Sequence, residues 1–403
     1  MKPISFIHCA DLHLDSPFVG LSSLPKSLYK LVQNSTFQSF SKIVDAAIEK
    51  KVDFMIIAGD LYDLEDRSIR AQIFFRKEME RLQKSGIAAF LVHGNHDHLG
   101  GSWTEIALPS NVHIFPKHVT MIPFTTQKGA KVHIYGFSYP KRHMLEGMTK
   151  HYQKEEGADY HIGILHGHDS KNHSHLQYAP FKTSELLEKG FDYWALGHIH
   201  QRSILHEDPY ILYPGNIQGR HKNEKGEKGC YFVEMDPYGT EIHFIPTSPI
   251  IWDEVKISPD VSFENFDDLY LAAINLKEEV RQKGKNMFLD LAIDRQKVAE
   301  TARQWLYDDE FLRLLQEDEE RRDPFVWVHS LKVEGQDQEP IPFEGPFFAE
   351  LEDMLSGLES IQEPLALLYS HPRTRKFLDS LTPKEEEEIK DKAIRLIQDY
   401  LQA

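Results

Sequence analysis

Short apolar runs alternate with stretches of helical periodicity through the first 250 residues of the chain. The runs are ISFIHCADLHL, DFMIIAGDLY, IAAFLVHGNHD, KVHIYGFSY, HIGILHGH and FDYWALGHIH. Several are continuous rather than alternating, the pattern of strands covered on both faces. Between the first three, the periodicity predicts helices over 27–50 and 67–85, with Gly86 as a C-cap of the second. Strand, helix, strand, helix, strand implies an α/β sandwich around mostly parallel sheet. CYFVEMDPYGTEIHFIP predicts a hairpin turning at Asp236-Pro237-Tyr238-Gly239.

A new unit starts near residue 252. A strand over 252–257, a helix over 264–284, a strand at MFLDLAID, a helical stretch over 297–320 and a strand at PFVWVHSLKV predict a small α+β domain. Pro340, Pro342, Gly345 and Pro346 mark a linker, and from 347 onward the pattern is helical and acidic, with a break at Ser370-His371-Pro372. In the segment KEEEEIKDKAIRLIQDYLQA, Ile389, Ala393, Leu396, Ile397 and Tyr400 recur at helical spacing and form an apolar stripe on a charged helix. The expected division is therefore 1–250, 251–338 and a linker with helical tail over 339–403, in keeping with two to three domains for 403 residues.

Charge sharpens this division. The 46 basic and 63 acidic residues leave a net charge of −17, which argues against a protein that coats nucleic acid by bulk charge alone. The imbalance is local: 27 basic face 28 acidic residues in 1–250, and 19 face 35 in 251–403. Of 22 histidines, 20 precede residue 251. Chemistry is therefore expected in the first part and interactions in the second. Cys9 and Cys230 lie far apart in the chain, so no disulfide framework or thiolate metal site is expected. The N-terminus MKPISFIHCADLHLD lacks the apolar core of a signal peptide, and no stretch approaches the roughly 20 apolar residues of a membrane span. A cytoplasmic protein is expected.

Five polar clusters follow apolar runs where the chain leaves the predicted sheet: Asp11-Leu12-His13, Gly59-Asp60-Leu61-Tyr62-Asp63, Gly94-Asn95-His96-Asp97, His166-Gly167-His168 and Gly197-His198-Ile199-His200. Open α/β sheets place ligand crevices at the carboxyl ends of their strands, so these clusters can converge. Asp, Asn and His offer oxygen and nitrogen donors suited to Mn, Fe, Zn or Mg. The set also suits two ions, one carboxylate bridging them and the others leaving positions open for water and phosphate. The glycines at 59, 94, 167 and 197 allow tight turns and close approach. A single histidine at a strand end is usually a hydrogen-bonded surface or core residue, and a single aspartate is more often a turn former or cap. Gly-Asn-His-Asp is far more specific, and the five clusters in this order define a site.

In content and order, D-x-H, G-D-x-x-D, G-N-H-D, H-G and G-H-x-H resemble the calcineurin-like metallophosphoesterase superfamily. Ala10-Asp11-Leu12-His13-Leu14, Gly59 to Asp63, Gly197 to His200, and the loop Tyr213-Pro214-Gly215-Asn216 are similar to the SbcD-type DNA-repair exonucleases within it, and the length, small domain and tail to the YhaO branch. The motifs cover about residues 4–220. The resemblance implies an α/β metallophosphoesterase sandwich flanked by helices, a small capping domain and a helical tail. It implies that Asp11, His13, Asp60 and His200 hold one ion and that Asp60, Asn95, His166 and His198 hold the other, with Asp60 as bridge. His96 would protonate the leaving oxygen or stabilise charge in the transition state, a task suited to histidine near neutral pH. Two divalent ions, Mn²⁺ foremost with Mg²⁺, Fe²⁺ or Zn²⁺ as alternatives, would be the cofactors. DNA would be the substrate and an SMC-like coiled-coil ATPase of YhaN type the partner of the tail, with a homodimer formed through the catalytic domain.

Other residues are open to more than one reading. Asp63 stands where some relatives carry a histidine near substrate, and is either a residue behind the ligands or a surface aspartate without a role. Arg220, in Gly219-Arg220-His221-Lys222, either meets a phosphate or is an ordinary surface arginine. His168, His173 and His175 fall in HGHDSKNHSH, either a substrate-facing loop or a merely polar one, the polar loop being favoured, and His8, His93 and His98 read as supporting residues. Lys141-Arg142-His143, Arg202 and Arg220-His221-Lys222 are the candidate basic contacts to DNA. A metal-dependent DNA exonuclease with endonuclease activity on single strands is the leading reading. A phosphatase or cyclic-nucleotide phosphodiesterase with the same core is the second, and a scaffold for an ATPase the third.

Overall fold

The computed structural model describes residues 2–18, 21, 24–63, 67–170, 178–257, 262–306 and 309–335, together with Leu365, Leu381, Glu386, Glu387, Ile389 and Lys390. The chain divides into two compact units, Met1–Glu334 and Gly335–Ala403. The linker and nearly all of the tail expected over 339–403 lie outside the described residues, as do His173 and His175.

Two six-stranded mixed sheets form the body. The elements run β1 (Ile4–Cys9), α1 (Lys26–Glu49), β2 (Phe54–Ala58), α2 (Ile69–Lys84), β3 (Ala88–Val92), β4 (Val112–Ile114), β5 (Thr120–Thr125), β6 (Lys131–Gly136), β7 (Tyr160–His166), α3 (Thr183–Leu187), β8 (Tyr193–Gly197), β9 (Ser203–Glu207), β10 (Tyr210–Tyr213), β11 (Gly229–Asp236) and β12 (Gly239–Pro246). The first sheet has the order β12-β11-β1-β2-β3-β4 and the second β5-β6-β7-β8-β10-β9. Each is parallel at its centre and antiparallel toward an edge, and β11 and β12 make the predicted hairpin. The inner faces meet in a core that includes Phe6, Phe54, Phe90, Ile134, Ile164 and Tyr193. Burying each such side chain contributes about 1.5–3 kcal/mol. The opposite face of β1 to β3, with Ile7, Ile57 and Leu91, packs against Phe40 and Ile43 of α1 and Phe75 and Met79 of α2. Burial on both faces explains the continuous apolar runs. Helix α2 starts at Ser68, whose hydroxyl accepts from Ala71 N at 3.1 Å, and ends before Gly86, whose φ of 71° closes the turn.

Within the first unit, residues 250–334 add β13 (Ile250–Lys256), α4 (Phe266–Arg281), β14 (Asn286–Asp294), α5 (Glu300–Arg303), α6 (Asp309–Gln316) and β15 (Val326–Glu334). These three strands are all parallel, in the order β13-β14-β15, with helical crossovers between them. The stretch expected to be helical over 297–320 holds two short helices, the second opening with Asp309 and Glu310, whose carboxylates suit a helix N-terminus. One face of this sheet carries its own core with Leu269, Leu289 and Phe311. The other, through Trp252, Phe288 and Trp327, packs against Leu28 and Val32 at the start of α1.

Cys9 and Cys230, remote in sequence, lie on the neighbouring strands β1 and β11, both buried and both free. Burial pushes both thiols up, so neither is a ready nucleophile. No helix among the described residues is long and apolar enough to cross a membrane.

Candidate metal centre

The polar clusters gather at the carboxyl ends of β1, β2 and β3 from one sheet and of β7 and β8 from the other. The loops after β1 and β2 continue side by side beyond their strands: Asp11 N donates to Gly59 O, His13 N to Asp60 O and Leu14 N to Leu61 O, each at 3.0 Å. These bonds hold Asp11, His13 and Asp60 in left-handed backbone, with φ of 51°, 41° and 48°, a conformation that costs a non-glycine residue about 1–3 kcal/mol. The loop after β3 turns on Asp97, which is fully buried. Its carboxylate accepts from Gly94 N at 2.8 Å, Leu61 N at 3.0 Å and His93 Nδ1 at 2.8 Å. Asp97 thereby ties the third loop to the second.

Donor atoms converge here in overlapping groups among the described residues. Asp11, His13 and His200 form one and Asp60, His166 and His198 a second, while His13 also gathers with Asp63 and His96. Asn95 joins the second, its Oδ1 lying 3.1 Å from His166 Nε2 and 3.2 Å from His198 Nδ1. Asp60 Oδ2 stands between the groups, 3.4 Å from His166 Nε2 and 3.9 Å from His13 Nε2. His96 sits beside them, with its ring 5.0 Å from that of His13 and its Nδ1 donating to Asp63 O at 2.9 Å. Its backbone N donates to Asp60 Oδ1 at 3.0 Å.

This set fits divalent cations. Asp11 and Asp60 are buried carboxylates that need positive charge close by. The Nε2 atoms of His13 and His200 face each other at 3.1 Å, where they can share only one proton but can both donate to a cation. Burial, with the Arg220 charge, pushes His13 down to about 3, and burial with His166 holds His198 well below the usual range, so both present the neutral imidazole that metals require. Burial disfavours charge on Asp60 as well, but His166 and His96 outweigh it and hold that carboxyl well down. Against its own burial, His166 is raised to about 9 by Asp60 and Asp11. Burial raises Asp11.

Glu224 and Tyr139 support the centre without any sequence signal, and Tyr213 does so from the loop singled out above. Glu224 Oε1 lies 2.6 Å from His200 Nδ1, and the hydroxyls of Tyr139 and Tyr213 donate to His166 O and Gly167 O at 2.8 Å. Asp63 Oδ1 is 3.0 Å from His13 Nδ1 and pairs with Arg220 Nη1, which also donates to Ser16 Oγ at 3.0 Å. Asp63 thus lies behind His13, and the Arg220 side chain is engaged with it. His168 departs from the polar-loop expectation: it is buried, with its ring 6.3 Å from that of His198. The reason is that His168 pairs with the backbone at 178–181, its N donating to Tyr178 O at 3.0 Å and Phe181 N donating to His168 O at 3.1 Å. His8 is buried against Tyr193 OH and Leu196 O. Of the basic residues considered for DNA, Arg202 lies over the Phe244 ring at 3.8 Å, while Lys141, Arg142 and His143 are exposed.

Gly94 shows how tightly the chain approaches the centre. A Cβ there would stand 2.2 Å from Asp60 Oδ1 and 2.6 Å from His166 Nε2. Overpacking costs about 1–3 kcal/mol, here directed at the donors themselves, so Gly94→Ala is expected to weaken metal binding by about 10- to 100-fold. Titration of the purified variant with Mn²⁺ measures this, and parental affinity would remove Gly94 from the list of site-forming residues.

A two-sheet sandwich with paired His/Asp groups at its strand ends defines a metal-dependent phosphoesterase. Residues 4–202 match the calcineurin-like phosphoesterase family, and the chain belongs to this metallophosphoesterase family. It is 37% identical to the uncharacterized metallophosphoesterase YhaO of Bacillus subtilis over 410 residues, which cover 98% of this chain and 97% of the relative. Similarity also extends to two proteins named DNA double-strand break repair protein Mre11. The one from Sulfurisphaera tokodaii is 27% identical over 294 residues, covering 70% of this chain and 69% of the relative. The one from Methanocaldococcus jannaschii is 27% identical over 295 residues, covering 69% and 74%. The protein is a metallophosphoesterase and thus a hydrolase.

Proposed function

We propose that the protein is a metal-dependent DNA exonuclease, with endonuclease activity on single strands, that works in DNA repair. The observation that carries this is the similarity to Mre11 proteins, which at 294 residues reaches well beyond the phosphoesterase match at 4–202. On this reading Asp11, His13, Asp60 and His200 hold one ion, and Asp60, Asn95, His166 and His198 the other. Mn²⁺ suits the oxygen and nitrogen donors. The two ions would neutralise the phosphate and supply a water of lowered pKa. Asp60 holds both positions in register, with Oδ2 toward the two histidine groups and Oδ1 accepting from His96 N. His96, its Nδ1 committed to Asp63 O, offers Nε2 to the oxygen that leaves.

Labelled single- and double-stranded DNA, incubated with Mn²⁺ or Mg²⁺ beside a generic phosphomonoester, tests the reading. Degradation of DNA is expected. Turnover of the phosphomonoester or of a cyclic nucleotide with DNA left intact would replace the proposal with a phosphatase or cyclic-nucleotide phosphodiesterase.

The tail over 339–403, with its apolar stripe and acidic charge, is proposed to bind an SMC-like coiled-coil ATPase. All the donors lie before residue 201, and the tail falls in the separate unit Gly335–Ala403. Truncation after Gln338 is therefore expected to leave a soluble protein that binds metal and hydrolyses small phosphodiesters but no longer retains the ATPase. Undiminished ATPase binding, or aggregation of the truncated protein, contradicts this.

A further inference from the structure

Both histidines of the Asp11–His13–His200 group are backed by a carboxylate, and the two carboxylates meet on a single residue. His13 Nδ1 lies 3.0 Å from Asp63 Oδ1, and the Arg220 guanidinium donates to that oxygen and to Ser16 Oγ. His200 Nδ1 lies 2.6 Å from Glu224 Oε1, and the Arg220 main-chain N donates to Glu224 Oε2 at 2.6 Å. Asn216 Nδ2 donates to the same Oε2 at 2.9 Å. Asp63 and Glu224 are thus held by one side chain and one peptide group of the same arginine.

The other group is built differently. His166 turns Nδ1 to the main-chain oxygen of Ala58 at 2.9 Å, and His198 presents Nδ1 to the donor set itself, 3.2 Å from Asn95 Oδ1. A carboxylate that accepts Nδ1–H fixes the tautomer and makes Nε2 a stronger donor to a cation than a neutral carbonyl does. It also adds charge behind the ligand, and at 2.6 Å the Glu224 contact is of the short, charge-assisted kind. The two ion positions therefore differ in electrostatics although their donor types are alike.

The loop that carries this arrangement is anchored on the small parallel sheet. Trp252 Nε1 donates to Gly219 O at 3.1 Å, Gly226 N to Trp252 O at 2.8 Å and Gln218 Nε2 to Ile250 O at 2.8 Å. Glu224 is only 6% exposed, so its carboxylate has little water to turn to if its partners are lost.

We propose that Arg220 and Glu224 form a clamp that sets the affinity of the Asp11–His13–His200 ion position. Glu224 orients and polarises His200, while Arg220 fixes Asp63 against His13 and Glu224 against His200. Arg220 is then a positioning residue that acts through two carboxylates, with its guanidinium held behind the ligands.

The inference rests on the two-ion assignment proposed above, and the test separates the two. Mn²⁺ binding to the full-length protein is followed by calorimetry for the parent, Glu224→Gln, Glu224→Ala and Arg220→Ala, with thermal melts of the metal-free proteins as a folding control. Two bound ions are expected in the parent. In each variant one ion is expected to weaken by about 10–100-fold while the other keeps its affinity. Hydrolysis should recover at saturating Mn²⁺. Glu224→Gln preserves shape but sets its NH2 against either His200 Nδ1–H or the Arg220 N and Asn216 Nδ2 donors, so it removes the charge and one acceptor, and it decides the matter should the alanine variants not fold. In an Asn95→Ala background, which removes a donor from the opposite group, the ion that remains tight must be the one Glu224→Gln weakens. Equal weakening of both ions, or parental affinity throughout, overturns the clamp. A parent that binds fewer than two ions overturns the assignment of the ions instead.

Discussion

Asp60→Ala is expected to lose both ions and hydrolysis together. The Asp60 carboxylate presents one oxygen to an Nε2 of each donor set, with Oδ2 3.4 Å from His166 Nε2 and 3.9 Å from His13 Nε2. It is 1% exposed, so nothing from solvent can take its place. Its removal leaves two cation positions facing one another without the anion between them, and deprives the His96 main-chain N of its acceptor at Oδ1. Metal-ion catalysis supplies several kcal/mol of charge stabilisation, which corresponds to a rate loss of about 10³-fold or more. Asn95→Ala, by contrast, removes a donor that touches only His166 and His198, and should weaken mainly one ion. Elemental analysis of the purified proteins decides the point: two ions per chain in Asp60→Ala would end its role as bridge.

The donors of the site were legible in the sequence because each lies within a few residues of a continuous apolar run. A run of that kind must be a strand buried on both faces, as with Phe54–Ala58, and the polar residues after it must sit at a strand end. Asp60, Asn95 and His198 follow from this reasoning directly. The glycines were legible for the same reason: Gly59, with φ of 95°, lets the chain turn just before Asp60. The strands and helices over 250–334 were readable from periodicity, although the parallel order of the strands was not, since crossover and hairpin connections differ in space rather than in composition.

What could not be read depends on contacts across long sequence separations. Glu224 lies in GRHKNEKGEKG, a hydrophilic stretch without periodicity, and reaches His200 only because the loop folds back over the strand ends. The Asp63–Arg220 pair spans 157 residues and exists only once the loops after β2 and β10 are brought together. Cys9 and Cys230 meet through the antiparallel pairing of β1 with β11, which no local pattern announces. His168 looked like part of a polar loop because HGHDSKNHSH is polar throughout, whereas its burial comes from a bridge between Asp169 and Phe181.

His96→Asn is expected to leave both ions and substrate binding in place while slowing cleavage by about 10²–10⁴-fold, the usual contribution of a positioned general acid or base. The geometry gives the reason. His96 Nδ1 faces Asp63 O at 2.9 Å, and a carbonyl oxygen only accepts, so Nδ1 keeps its proton and Nε2 is the atom that exchanges one. The backbone beneath the ring is fixed, because its main-chain N is tied to Asp60 and the turn to Asp97, and the ring itself is held by the Asp63 O contact. Asparagine retains a polar side chain at the turn but has no group that transfers a proton near neutral pH. Single-turnover cleavage of DNA measures the chemical step apart from binding, and metal content checks that the centre is intact. If His96 protonates the leaving oxygen, a phosphodiester with a nitrophenolate leaving group, which departs without a proton, should be cleaved nearly as fast by the variant as by the parent. Equal slowing on both substrates would assign His96 to charge stabilisation rather than proton transfer, and an unslowed variant would leave it a purely structural residue of the turn.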